Sequence, residues 1–155
     1  MRKSLSMALL LTAIGCLVAL AADEPWFDLK KCAFCKTIAD QPGLVDHMNT
    51  QYFNLHNGMM SITHIDKDYL PAFAKAQEAM KPVIQDLRAG KKVYTCPHCT
   101  TLGTLMMSGV IPDEVRSGEN IIVVYTSNDS TMVAKIQDFA KKSAEGQAAL
   151  IAKPK

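Results

Sequence analysis

Four cysteines arranged as two Cys-x-x-Cys pairs, Cys32-Ala33-Phe34-Cys35 and Cys96-Pro97-His98-Cys99, stand 64 residues apart and constrain this chain more than any other feature. A two-residue spacer lets both sulfurs of a pair turn toward one point. Two such pairs suit three fates: four thiolates on one metal ion, a dithiol that cycles with its disulfide, or structural disulfides. The first fate requires a fold that folds back on itself and brings the distant pairs together.

The sequence between and after the pairs suggests how. Residues 32–48 read as a helical stretch interrupted by the turn signal Gln41-Pro42-Gly43. Residues 51–56 and 59–65 flank Asn57-Gly58, the strongest short hairpin signal, and so predict two antiparallel strands. Residues 69–87 space Leu70, Phe73, Ala76, Met80, Ile84 and Leu87 as an amphipathic helix, with Pro71 in its first turn and Pro82 inside it. The second half repeats the plan: a short helix from Thr100 to Met107, strands over 110–116 and 121–125 around Ser117-Gly118-Glu119-Asn120, and a last helix after Ser127-Asn128-Asp129-Ser130. That helix turns Met132, Val133, Ile136, Phe139 and Ala140 inward.

An offset of 64 aligns all four cysteines, and an offset of 63 aligns Leu70 with Val133 and Phe73 with Ile136. The fold class expected is therefore α+β: a mostly antiparallel four-stranded sheet with packed helices, arising from a pseudo-twofold duplication of a Cys-x-x-Cys helix, hairpin and helix unit. The half-units span 32–90 and 91–146 of one domain, 32–146. Residues 22–31 form an irregular lead-in with Trp26 and Phe27 packed on the edge, and 147–155 a flexible tail.

The N-terminus bears on the redox setting. Arg2 and Lys3, an apolar run to Leu20 and the triplet Ala19-Leu20-Ala21 have the layout of a cleavable secretory signal over 1–21, predicting export to a periplasmic or extracellular compartment. The same apolar segment is short for a membrane anchor, and Ala13-Ile14-Gly15-Cys16 offers the alternative of a lipoprotein anchored at Cys16. Losing Arg2 and Lys3 takes the 17 basic residues to 15, equal to the 15 acidic ones, so no nucleic-acid or other polyanionic partner is implied. Any partner is a protein that the sequence leaves unidentified. Export of an unfolded chain would make the site acquire its metal outside the cytoplasm, which disfavours iron–sulfur clusters.

The leading expectation is a non-catalytic domain that binds a thiophilic metal, most simply zinc, through Cys32, Cys35, Cys96 and Cys99, with His98 as an alternative ligand. The second expectation is enzymatic. Cys96-Pro97-His98-Cys99 resembles the active-site tetrapeptide of the DsbA-type thiol-disulfide oxidoreductases, a resemblance of four residues. It implies Cys96 as the attacking thiolate at a helix start and Cys99 as the resolving thiol. It also asks for a strand before the motif, over 93–95, and a cis-proline, Pro112. Only 12 residues separate Cys99 from Pro112, too few for the further strand and helix of a thioredoxin fold, so redox activity would use another scaffold. The third expectation is an interaction module with purely structural disulfides.

Other chemistry is sparse. Neither pair is followed by histidine, which excludes covalent c-type haem. No Ser/His/Asp order or glycine-rich phosphate loop is present. Methionines and the histidines His47, His56 and His64 supply soft donors for copper, but core packing is the simpler use of the methionines. His56 and His64 are expected to face each other across the first hairpin.

Overall fold

The computed structural model describes residues 24–152, so the signal over 1–21 and the lipidation alternative at Cys16 lie outside the described residues. Within them the chain forms α1 (Ala33–Ala39), β1 (Met48–Leu55), β2 (Gly58–Ile65), α2 (Leu70–Arg88), α3 (Pro97–Met107), β3 (Asp113–Ser117), β4 (Asn120–Thr126) and α4 (Ser130–Ile151), with short 3-10 turns at Leu44–His47 and Lys67–Tyr69. The fold is α+β, with a four-stranded, wholly antiparallel sheet in the order β1-β2-β4-β3 and four α-helices among the described residues. None of those helices is long and apolar enough to cross a membrane.

Alternation along the strands puts Met48, Tyr52, Met59, Ser61, Ile65, Ile121 and Tyr125 on one face of the sheet. The helices pack on this face. Ile136, Phe139 and Ala140 of α4 meet Met59, Tyr52 and Tyr125, while Ala76, Leu70 and Phe73 of α2 meet Ile65, Met48, Ile121 and the buried Leu44. Phe53, Met60, Ile62, Ile122, Val124 and Val115 line the opposite face, and none belongs to a buried cluster. The edge strand β3 is short, exposed and charged through Asp113, Glu114 and Arg116, which discourages further strand pairing.

Local chemistry explains the boundaries. Gly43 takes φ 76 before the 3-10 turn at Leu44–His47, so the helix after Cys32 stops at Ala39 and β1 begins at Met48. Asp129 caps α4 by accepting the Met132 amide at 3.0 Å. Pro71 lies in the first turn of α2, where its missing N–H costs nothing; Pro82 lies inside the same helix.

Four expectations need correction. The first hairpin turns at His56-Asn57, because Leu55 pairs with Gly58 and Gly58 is already a strand residue. An added Cβ at Gly58 would lie 1.9 Å from the Tyr125 carbonyl oxygen, so this glycine serves the close approach of β4, not the turn. His56 and His64 consequently do not face each other: His56 is in the turn, and His64 pairs with Asn49 on one side and Asn120 on the other. The helix α4 also runs through residues 147–151, where a tail is expected, held by a hydrogen bond from the Gln147 side chain to Asn49 Oδ1 at 3.0 Å. Pro112 precedes β3 and no cis peptide occurs among the described residues.

Candidate metal centre

Each Cys-x-x-Cys pair is built the same way from the backbone outward. Cys32 is the N-cap of α1 and Cys96 the N-cap of α3, both in extended conformation with φ near −65° (−63° and −69°), and neither side chain caps its own helix. Each begins the first helical turn, its carbonyl accepting from Lys36 and Thr100 respectively at 2.9 Å. The second cysteine of each pair sits three residues on, over the same face, so both sulfurs of a pair project to one side. The helix dipole at such starts favours a thiolate.

Hydrogen bonds between the two segments hold the starts together. The Ala33 amide donates to the Tyr94 carbonyl at 3.0 Å, and the His98 amide donates to the Trp26 carbonyl at 3.1 Å. Asp28 fixes the approach to Cys32: its Oδ1 accepts the Lys30 and Lys31 amides at 2.9 Å, and its carbonyl accepts the Cys32 amide at 3.2 Å. The Lys31 amide is the main reason the Asp28 carboxyl is held below its usual range.

The result brings Cys32, Cys35, Cys96 and Cys99 into one group, with all four sulfurs within 4.8 Å of one another. Cys35 Sγ lies 3.6 Å from Cys96 Sγ and 3.7 Å from Cys99 Sγ. A tetrahedral ion with sulfur ligands at about 2.3 Å places its ligands about 3.8 Å apart, so these two edges fit such an ion. Phe27, Leu29 and Phe34 pack around the group and limit water. Among the described residues no other group of three or more His, Cys, Asp or Glu donors is this compact. The four thiols are free. No protein-family model, curated protein or solved structure matches this chain.

The thiols of Cys35, Cys96 and Cys99 hold their protons unequally. The hydrogen bond from Cys35 holds the Cys96 thiol far below the ordinary range, while that same bond pushes Cys35 up. Cys99 is pushed up chiefly by its bond to Cys35. Of these three, Cys96 is the one whose thiolate the neighbouring hydrogen bonds favour, in a soft pocket walled by Phe27, Leu29 and Phe34.

His98 lies outside the sulfur group. Its ring is held between Phe27 and Phe139, with centroids 4.4 and 4.9 Å away, and edge-on to Trp26. Burial lowers its pKa to about 4, opposed by the negative charge of Cys96, so the imidazole is neutral near pH 7. Its Nδ1 is 3.2 Å from Ser143 Oγ, which also accepts the Trp26 Nε1 hydrogen at 3.2 Å. Tyr52 reaches the same hydroxyl, and burial raises its phenol to about 12. Ser143, fully buried on α4, is thus a hub behind the second pair that sequence reading does not find. Its one local signal is Gly146, a mid-helix glycine whose Cβ would stand 2.6 Å from the Trp26 ring.

The remaining soft donors lie elsewhere. Met59 is in the core, and His47 and His64 gather around Asp66, with His47 Nδ1 2.7 Å and His64 Nε2 3.5 Å from its carboxylate. His47 also stacks on Tyr69 at 4.0 Å.

Proposed function

We propose that the protein binds one thiophilic metal ion, zinc(II) in the simplest case, through Cys32, Cys35, Cys96 and Cys99, and does so without catalysing a reaction. The observation that carries this reading is the convergence of four sulfurs from motifs 64 residues apart, two of their separations matching a tetrahedral edge. Zinc is chosen because it takes four thiolates without redox change. Buried thiolates in an apolar shell gain charge balance from a divalent cation. The test is metal content per chain with a thiol count after denaturation. One metal and four free thiols support the reading; no metal with one or two disulfides rejects it.

A second reading, thiol–disulfide exchange with Cys96 attacking and Cys99 resolving, is favoured by the lowered Cys96 thiol. Full burial of Cys96 speaks against it, since a substrate disulfide must reach the attacking sulfur. A Cys99→Ser chain that accumulates mixed disulfides would favour exchange over metal binding.

Export belongs to the same proposal and rests on the sequence of residues 1–21; the N-terminal mass of the mature chain separates cleavage after Ala21 from lipidation at Cys16. A duplicated origin for 32–90 and 91–146 has the support of a shared order, helix, hairpin, helix, and of Cys32 and Cys96 both at helix starts.

A further inference from the structure

The four cysteines differ in burial. Cys32 and Cys96 are fully buried and Cys35 nearly so, whereas Cys99 is only partly buried. The cause lies one turn along α3. A helical side chain leans over the turn that precedes it, so the surface above Cys99 falls to residues 102 and 103. Leu102 packs against the core cluster that contains Met59 and Leu105, and position 103 is glycine.

Neither backbone nor space requires that glycine. Gly103 lies inside α3 without positive φ, and a Cβ built there meets nothing within 4 Å. Glycine inside a helix costs about 1 kcal/mol relative to alanine, so the fold alone would favour a side chain here. The opening continues to Met106 and Met107, 49% and 92% exposed, seven and eight residues beyond Cys99 and about 10–12 Å along the helix. Apolar, adaptable side chains thus flank the open turn on its far side.

We propose that Cys99 is the exchange ligand of the metal centre: a dithiol on a partner protein approaches over Gly103, seats against Met106 and Met107, and displaces Cys99 from the ion. This inference rests on the metal-binding reading above. In the step, the metal–sulfur bond to Cys99 breaks as a bond to the incoming sulfur forms, and the incoming thiol's proton passes to the departing Cys99 thiolate. The metal keeps its oxidation state. Cys32, Cys35 and Cys96 hold the ion after this first displacement; the partner's second sulfur then replaces one of them in the same way, its proton passing to the departing thiolate, and a second dithiol replaces the last two by the same exchange.

The test mixes the zinc-loaded full chain with rising concentrations of a Cys-x-x-Cys peptide and follows the zinc left on the chain by native mass spectrometry. The loss rate is expected to rise linearly with peptide concentration. A Gly103→Leu chain should keep one zinc and lose it about tenfold more slowly at each concentration, the effect of about 1.4 kcal/mol on the barrier. Lys141→Leu, an exposed change on α4, should exchange like the parent. A rate independent of peptide concentration, or an unchanged rate in zinc-loaded Gly103→Leu, overturns the exchange route and leaves metal binding intact. A parent chain that takes up no zinc rejects the metal reading before any exchange is measured.

Discussion

Ser143 shows how much of the centre depends on a residue that carries no metal chemistry of its own. Its hydroxyl accepts the Trp26 indole hydrogen and meets His98 Nδ1, so one oxygen fixes the lead-in before Cys32 and the ring inside the second pair. Replacing it with alanine leaves an indole N–H and an imidazole nitrogen without their partner in a tightly packed setting. Ser143→Ala is therefore expected to cost about 1–3 kcal/mol, read as a lower urea midpoint with unchanged slope, and to shift the emission of Trp26, the chain's one tryptophan. An unchanged midpoint would mean that the hydroxyl bonds contribute nothing net. The four cysteines were legible in the sequence because their spacing is local within each pair and repeated between pairs. The serine was not, because its partners lie 45 and 117 residues away and no periodicity links such positions.

Among the elements, the two hairpins and their joining seam decide whether the cysteine pairs meet. The β2–β4 pairing runs from Gly58–Thr126 to His64–Asn120 and is the only ladder between the two halves of the sheet among the described residues. Gly58 admits the backbone of β4, so Gly58→Ala should force these strands apart at one end and cost at least about 3 kcal/mol, the upper end of overpacking penalties. The thermal midpoint checks this; a change of less than a degree would show that the seam relaxes freely. Hairpin existence was readable from the Asn-Gly and Ser-Gly signals, but the first turn was displaced by one residue. Local propensity assigned Gly58 to the turn, whereas the neighbouring strand required it. The length of α4 escaped for a related reason: its last turns are stabilised by Gln147 against β1, a contact between elements that composition does not encode.

At the scale of the whole molecule, α1 packs on α2 and α3 on α4, with the sulfur group and the β2–β4 seam linking the two sides. A metal bound only by the folded chain stabilises it by mass action, about 4 kcal/mol when free metal exceeds the dissociation constant a thousandfold. Stripping the metal with a chelator should therefore lower the thermal midpoint. It should also speed amide exchange in α1 and residues 26–33 more than in β2 and β4. Uniform exchange across both regions would indicate that the centre does not act as a local clip. The layer arrangement was foreseeable from the alternation and helix periodicity. Convergence of the cysteines followed from it only once the strand order was known.

The strand order also sets a clock. Cys32 and Cys35 emerge during synthesis 64 residues ahead of their partners, an interval of about 3–13 s at 5–20 residues per second. During that interval β2 lacks β4 and the first dithiol lacks the second, so neither seam can close from the N-terminal side alone. The nascent chain thus spends its first seconds with an open pair of thiols and an unpaired central strand, and the stretch from Cys96 to Thr126 completes both.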